Sequence, residues 1–211
     1  MTTREFVALE KRLLPNLSNF VIKGRLMFIA PIARALRGFH FDPSAFSKQA
    51  FYVDMFFMPL CVPTKHVHFT FGHRVKSGWS ADDPNLETKL TLAMQEEVPF
   101  LAGLNTAIDV ARALEPLTKT HNPHCHEAFA YTLLQAGEMP AALHALDTLL
   151  ALIDSVKRAN PDVTWELEIA ARALLIRDKL LDKPEDAHQQ LAAWEAETVR
   201  KLGLQEFRES P

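Results

Sequence analysis

The stretch from Phe51 to Arg74, FYVDMFFMPLCVPTKHVHFTFGHR, restricts what this chain can fold into more than any other. Its first run, Phe51 to Leu60, is apolar at nearly every position. Phe51, Val53, Met55 and Phe57 share one side of a period-2 ladder, and Tyr52, Phe56 and Met58 share the other. A strand apolar on both sides is normally central, with both of its faces covered. Only Asp54 breaks the second side, and a carboxylate there needs a partner, for which Arg25, Arg34, Arg37 and His68 are candidates. Pro59 and Pro63 interrupt the run before His66 to Phe71 resumes it differently. There Val67, Phe69 and Phe71 alternate with His66, His68 and Thr70, the pattern of a strand with one solvated face. Two strands are therefore expected, the second with a polar face that carries histidines.

Around this centre the chain divides by periodicity. Thr2 and Glu5 have the spacing of a capping box, and Phe6, Leu9 and Leu13 make an apolar stripe that stops at Pro15. Phe20 to Ala30 reads as one strand with a bulge at Gly24, Ile32 to Arg37 as a short helical turn, and Phe39 to Phe41 as extended chain. After Trp79 the period changes to 3.6, and the turn residues Asp82, Asp83, Pro84 and Asn85 mark the boundary. Helices are expected over Leu86 to Glu97, after a cap at Asn105 or Thr106, and from His124 to Ala136 with Gly137 at the C-terminal position. Further helices are expected from Pro140 to about Arg158, from Val163 to Leu181, and from Lys183-Pro184-Glu185 to Leu202. The expected fold class is α+β: a small, mostly antiparallel β-sheet domain with an N-terminal helix over residues 1–80, then an all-α domain of antiparallel helical hairpins over residues 81–211.

At 211 residues, 48% hydrophobic and 23% charged, the composition is that of a globular protein. No apolar run reaches bilayer-spanning length and the N-terminus lacks a secretory pattern, so a cytoplasmic location without membrane contact is expected, with Cys61 and Cys125 as free thiols. The net charge of −3 conceals an asymmetry: residues 1–80 carry 11 Lys+Arg against 4 Asp+Glu, and residues 81–211 carry 12 against 22. Arg25, Arg34, Arg37 and Arg74, with His66, His68 and Trp79, are accordingly the candidate binding residues. Aromatic and basic residues mixed in this way, with Phe39, Phe41 and His40 nearby, can stack on single-stranded nucleic acid. The same spacing also fills a core with rings and coats its rim with bases, so RNA binding stays a secondary reading.

Catalytic signals are few. His66 and His68 would aim two imidazoles from one strand face, and His121, His124 and His126 cluster before a helix, but the chain has no H-E-x-x-H and no C-x-x-C. Neither a G-x-S-x-G elbow nor a phosphate-cradling glycine loop is present. No catalytic residue, metal site or cofactor is assigned, and the enzyme alternative would rest on Asp54, His66, His68 and Arg74 between the domains.

In EAFAYTLLQAGEMPAALHALDTLL, Ala130, Leu133, Gly137, Ala142 and Leu146 fall where a tetratricopeptide repeat places its small and large contact residues, and the segment resembles one such hairpin. ALLIRDKLLDKPEDAHQQLAAW repeats the scheme with Leu175, Ala187, Leu191 and Trp194. The blocks GRLMFIAP, LRGFHFDPSAF, FYVDMFFMPLCVP and FTFGHR resemble an uncharacterised bacterial family related to domains found near toxin systems. These resemblances imply a bacterial protein-interaction module, an adaptor or a toxin-neutralising partner, whose paired helices engage another protein.

Overall fold

The computed structural model describes residues 1–160, 162 and 164–208, and shows an α+β protein in which an antiparallel sheet with an N-terminal helix is followed by helices. Contacts divide it into two compact units. One comprises Met1–Met58, Val67–Leu104 and the chain from Glu206; the other comprises Pro59–His66 and Asn105–Gln205. The expected boundary near residue 80 thus differs from the contact boundary at Leu104.

The first unit opens with helix α1, Thr3–Leu13, held by the expected capping box: Thr2 Oγ1 accepts the Glu5 amide at 3.3 Å and Glu5 Oε2 accepts the Thr2 amide at 2.6 Å. The strands are β1 Phe20–Lys23, β2 Leu26–Ile29, β3 Ala35–Pro43, β4 Ala50–Pro59, β5 Gly72–Arg74 and β6 Trp79–Ser80. Their order is β1-β2-β3-β4-β5, with β6 also paired to β4. Phe20 to Ala30 is therefore a hairpin and not one strand: Gly24 sits in its turn, with Lys23 opposite Leu26. The helical turn expected over Ile32 to Arg37 is replaced by the start of β3, whose long apolar run extends the sheet.

The strand expected over His66 to Phe71 is a loop. Pairing with β4 begins only where this segment ends, leading into β5, with Asp54 opposite Arg74, and then β6, with Phe51 opposite Trp79. The loop's aromatics pack individually instead. Phe71 is buried against Phe57, ring centroids 5.8 Å apart, and its carbonyl accepts the Phe57 amide at 2.9 Å. Phe69 turns to Phe56, edge to face at 5.0 Å.

Helix α2, Leu86–Gly103, runs past the expected end at Glu97 and through Pro99, which removes one intrahelical hydrogen bond without stopping the helix. Leu86, Leu90, Ala93, Met94 and Leu101 enter the same core as Phe6, Leu9 and Leu13 of α1 and Phe39, Phe41, Phe51 and Val53 of the sheet, and this shared core groups α2 with the sheet. Phe6 contacts both Phe41 and Phe51, at 6.2 and 5.6 Å, and burying such a ring contributes about 2 kcal/mol or more.

The second unit holds α3 Ala107–Leu114, α4 Pro123–Gln135, α5 Met139–Ala159, α6 Trp165–Asp182 and α7 Pro184–Lys201. Pro161 and Val163, which the sequence placed at the α5–α6 junction, lie outside the described residues. Thr106 caps α3 in a second capping box, with Asp109. The unit is organised on α4, whose Cys125, Ala128, Ala130, Tyr131 and Leu134 are buried against α3, α5, α6 and α7, while His126 and Phe129 are half-buried. Its Glu127 is buried and takes two hydrogen bonds from Arg172 of α6, at 2.7 and 3.1 Å. Gln135 donates to Glu195 of α7 at 2.7 Å, and Tyr131 meets Trp194 at 5.7 Å. Of the residues matching the repeat scheme, Ala130, Leu133, Ala142, Leu146, Ala187 and Leu191 are buried, whereas Leu175 is exposed. By length and composition α5 is apolar enough to cross a membrane, which the sequence reading did not expect. It is nonetheless two-faced: Ala142, Leu146, Leu149 and Ile153 are buried, while His144, Asp147 and Asp154 are exposed. No strand follows residue 85 among the described residues; a single bridge joins Arg208 to Ile32.

Candidate functional site

The candidate residues from the sequence scatter into different roles. Trp79 is a core residue: its ring is buried in the sheet unit and its indole N–H donates to the Val75 carbonyl at 3.1 Å. Arg37 is buried as well, and donates to the Leu104 carbonyl at the end of α2, a terminal acceptor with no partner inside the helix. Burial lowers its pKa. Neither is available to a ligand on the surface, so the nucleic-acid stacking reading loses its aromatic and one of its cations. Arg34 is exposed ahead of β3, and His66 is exposed in the loop, its backbone tied to the Thr64 hydroxyl at 3.2 and 2.9 Å. His68 is half-buried with its ring edge on Phe71 at 5.6 Å.

On the sheet side opposite α1 and α2, the strands do bring polar groups together. Asp54 finds its partner in Arg74, at 3.5 Å, and the guanidinium lies 3.8 Å from the centre of the Tyr52 ring. Arg25 lies 3.7 Å from the Asp42 carboxylate. Between these pairs His40 stacks on Phe69, centroids 4.1 Å apart. Burial is the main cause that lowers the His40 pKa; Arg25 adds to it, and Asp42 and Asp54 oppose it. His40 is thus neutral at pH 7, and the two ion pairs are mutually neutralised. Of the residues proposed for a catalytic centre, Asp54 and Arg74 meet, while His66 lies in the other compact unit.

Three of the remaining histidines are engaged within the protein. His73 bonds Glu97 at 2.9 Å, His126 bonds the Thr120 carbonyl at 3.1 Å, and His124 stacks on Trp165 at 5.1 Å. Among the described residues no three His, Cys, Asp or Glu side chains are grouped to hold a metal ion. Cys61 and Cys125 are buried free thiols, and burial raises the pKa of Cys125, which makes it a poor nucleophile.

A concave site lies wholly within the helical unit, between α3, α4 and α5. It is a groove of about 440 Å³, within the size range of ligand sites. Ile108 and Ala111 of α3, Phe129 and Leu133 of α4, and Ala141 and Ala145 of α5 give it an apolar lining. Arg112, Glu115, Thr118, His126, His144 and Thr148 supply its polar groups. The alanines create the space, since a larger side chain at Ala111, Ala141 or Ala145 would occupy it. The Thr118 hydroxyl donates to the Glu115 carbonyl at 2.7 Å and the Thr148 hydroxyl to the His144 carbonyl at 2.9 Å, which leaves both oxygens able to accept from a ligand. The sequence led to a helix after Asn105 or Thr106 but did not single out Phe129, Arg112 or His144. The available signal was Ala141, Ala145 and Thr148, small residues at helical spacing on a helix otherwise rich in leucine.

No protein-family model, curated protein or solved structure matches the chain.

Proposed function

We propose that this protein is a polypeptide-binding module and that the groove between α3, α4 and α5 is where it holds its partner. The observation that carries the reading is the groove's chemistry: an apolar lining wide enough for one or two side chains, with donors and acceptors of both signs around it. A polypeptide offers that combination, apolar side chains with amide donors and carbonyl acceptors between them. A nucleic-acid strand would call for a basic track with stacking rings, whereas Arg112 here is offset by Asp109 at 3.9 Å and by the nearby Glu115. Consecutive antiparallel helices that leave one side of α4 open supply such a surface, in the manner of repeat-like hairpins.

The test is selection from a random peptide library on the purified chain, followed by affinity measurement against Ala141→Phe, which fills the groove from an exposed position. Enriched peptides with a shared apolar anchor should bind the variant at least tenfold more weakly, a loss of about 1.4 kcal/mol. Peptides that bind both proteins equally, or no enrichment at all, would overturn the proposal.

A further inference from the structure

The walls of the groove between α3, α4 and α5 are themselves helices, which decides the kind of segment that can lie in it. On α3 the lining is Ile108, Ala111, Arg112 and Glu115, and on α5 it is Ala141, His144, Ala145 and Thr148. Both sets follow the spacing i, i+3, i+4, i+7, so each wall is two turns, about 10 Å, long. Between Cys125 and Leu134 every residue of α4 is buried except His126 and Phe129, and both of these line the groove. Helices α3 and α5 each pack on α4 and scarcely on each other. The strip left open between them is the place of one more helix packed on α4, and the small Ala111, Ala141 and Ala145 on the two walls leave room for its side chains at the usual axial separation of about 8–10 Å.

Hydrogen bonding separates a helical occupant from an extended one. The amides and carbonyls of α3, α4 and α5 along the groove bond within their own helices, and no strand edge borders it among the described residues. An extended segment would lay its own backbone groups on this apolar lining, where polar side chains such as Thr118 and Thr148 could pair only some of them. A helix bonds its amides internally and presents side chains alone. Charge narrows the occupant further. Arg112 and Glu115 stand three residues apart on the α3 wall; among the described residues the ion-pair partner of Arg112 is Asp109, at 3.9 Å, and Glu115 has none. A complementary flank carries an acid and a base one turn apart. Resting on the reading of the groove as a polypeptide site, we propose that the partner segment is an amphipathic helix: apolar side chains at i and i+3 or i+4 sit over Phe129 and Leu133, and an acid and a base one turn apart face Arg112 and Glu115. The Thr118 and Thr148 oxygens then accept from side chains at the edge of that helix.

Two peptide libraries of equal length and composition, selected on the purified chain, test this: one with apolar residues at i, i+3, i+4 and i+7, the other with apolar and polar residues in strict alternation. The helical pattern should be enriched and the alternating pattern should not. Enriched peptides should gain helical circular dichroism on binding, and a proline at their centre should weaken them roughly tenfold or more. Ala141→Phe should weaken them by a similar factor; because Ala141 is exposed the variant is expected to keep its fold, which circular dichroism of the free protein verifies. Arg112→Glu should weaken binding severalfold, and exchanging the facing acid of the peptide for lysine should restore it. Enrichment of the alternating pattern as strong as that of the helical one, and lost in Ala141→Phe, would overturn the helical occupant and leave the groove as the site; enrichment of neither pattern would overturn both. Helical peptides that gain no helicity on binding, bind Ala141→Phe as tightly as the wild-type chain, or do not respond to Arg112→Glu would also overturn the proposal.

Discussion

A buried glutamate from each compact unit shows two ways in which a protein holds a carboxyl group inside. Glu10, on α1 of the sheet unit, is fully buried, and neither of its carboxyl oxygens has a hydrogen-bond partner among the described residues. Burial pushes its pKa up to about 7, with Arg25 opposing weakly. Glu127, on α4 of the helical unit, is equally buried but accepts both hydrogen bonds of the Arg172 fork. Burial works against the Arg172 charge, but the hydrogen bond and charge of Glu127 outweigh it and raise the Arg172 pKa. Beside the pair, burial first and the Glu127 charge second hold the Tyr131 phenol well above its usual range. In the sheet unit burial raises the pKa of an unpaired carboxyl; in the helical unit a guanidinium fork is hydrogen-bonded to both carboxyl oxygens. Residue type and depth alone therefore do not fix how a buried acid behaves; what decides is whether a neighbouring element can deliver a planar cation.

This contrast can be broken most severely at Arg172. Arg172→Ala leaves the Glu127 carboxylate buried and unpaired, and urea denaturation should show a loss of about 4 kcal/mol, most of which Arg172→Leu with Glu127→Leu should recover. Loss of less than 1 kcal/mol in the single variant would mean that the pair is solvated.

The second effect is on pH. In the unfolded chain Glu10 ionises near its ordinary 4.5, and in the folded chain at about 7. Below 4.5 both states hold the proton and the stability of the sheet unit is undiminished. It should then fall as pH rises, because only the unfolded state releases the proton, and level off above about 7 after a loss of about 3 kcal/mol. Glu10→Gln should flatten this profile. Thermal unfolding between pH 4 and 8 reads it directly.

A smaller comparison uses one glycine from each unit. Gly72 has φ +147° and a side chain there would run into the Met55 carbonyl and the Phe56 backbone, while Gly137 has φ +83° with open space around it. Gly72→Ala should cost about 3 kcal/mol and Gly137→Ala about 1 kcal/mol. Equal losses would show that backbone conformation alone matters at both positions.

The helical unit was largely legible in the sequence and the sheet unit only in part. Caps and breakers such as Thr106, Gly137, Pro140 and Pro184 act within one turn of the chain, so the helices fall near their expected places. What Phe69, Phe71 or Arg37 does depends on which strand edge is still free and which helix ends nearby, and those are facts about distant residues. The alternation of His66 to Phe71 did not carry into the structure: in the loop Phe71 is buried, Val67 and His68 are half-buried and Phe69 is exposed. Asp54 was read correctly as needing a cation, yet its partner, Arg74, was fixed by the register of β5, which no local pattern reveals. The groove escaped because it is lined by small residues, and a missing side chain leaves less trace in a sequence than a large one.

The central claim, that the functional surface lies in the helical unit and not on the polar sheet face, is tested most directly by hydrogen–deuterium exchange with a bound peptide from the library selection. The expected result is protection of α3, α4 and the first half of α5, lost in Ala141→Phe, with exchange around His40, Asp54 and Arg74 unchanged. Protection at His40, Asp54 and Arg74 with none in α3 to α5 would contradict the account.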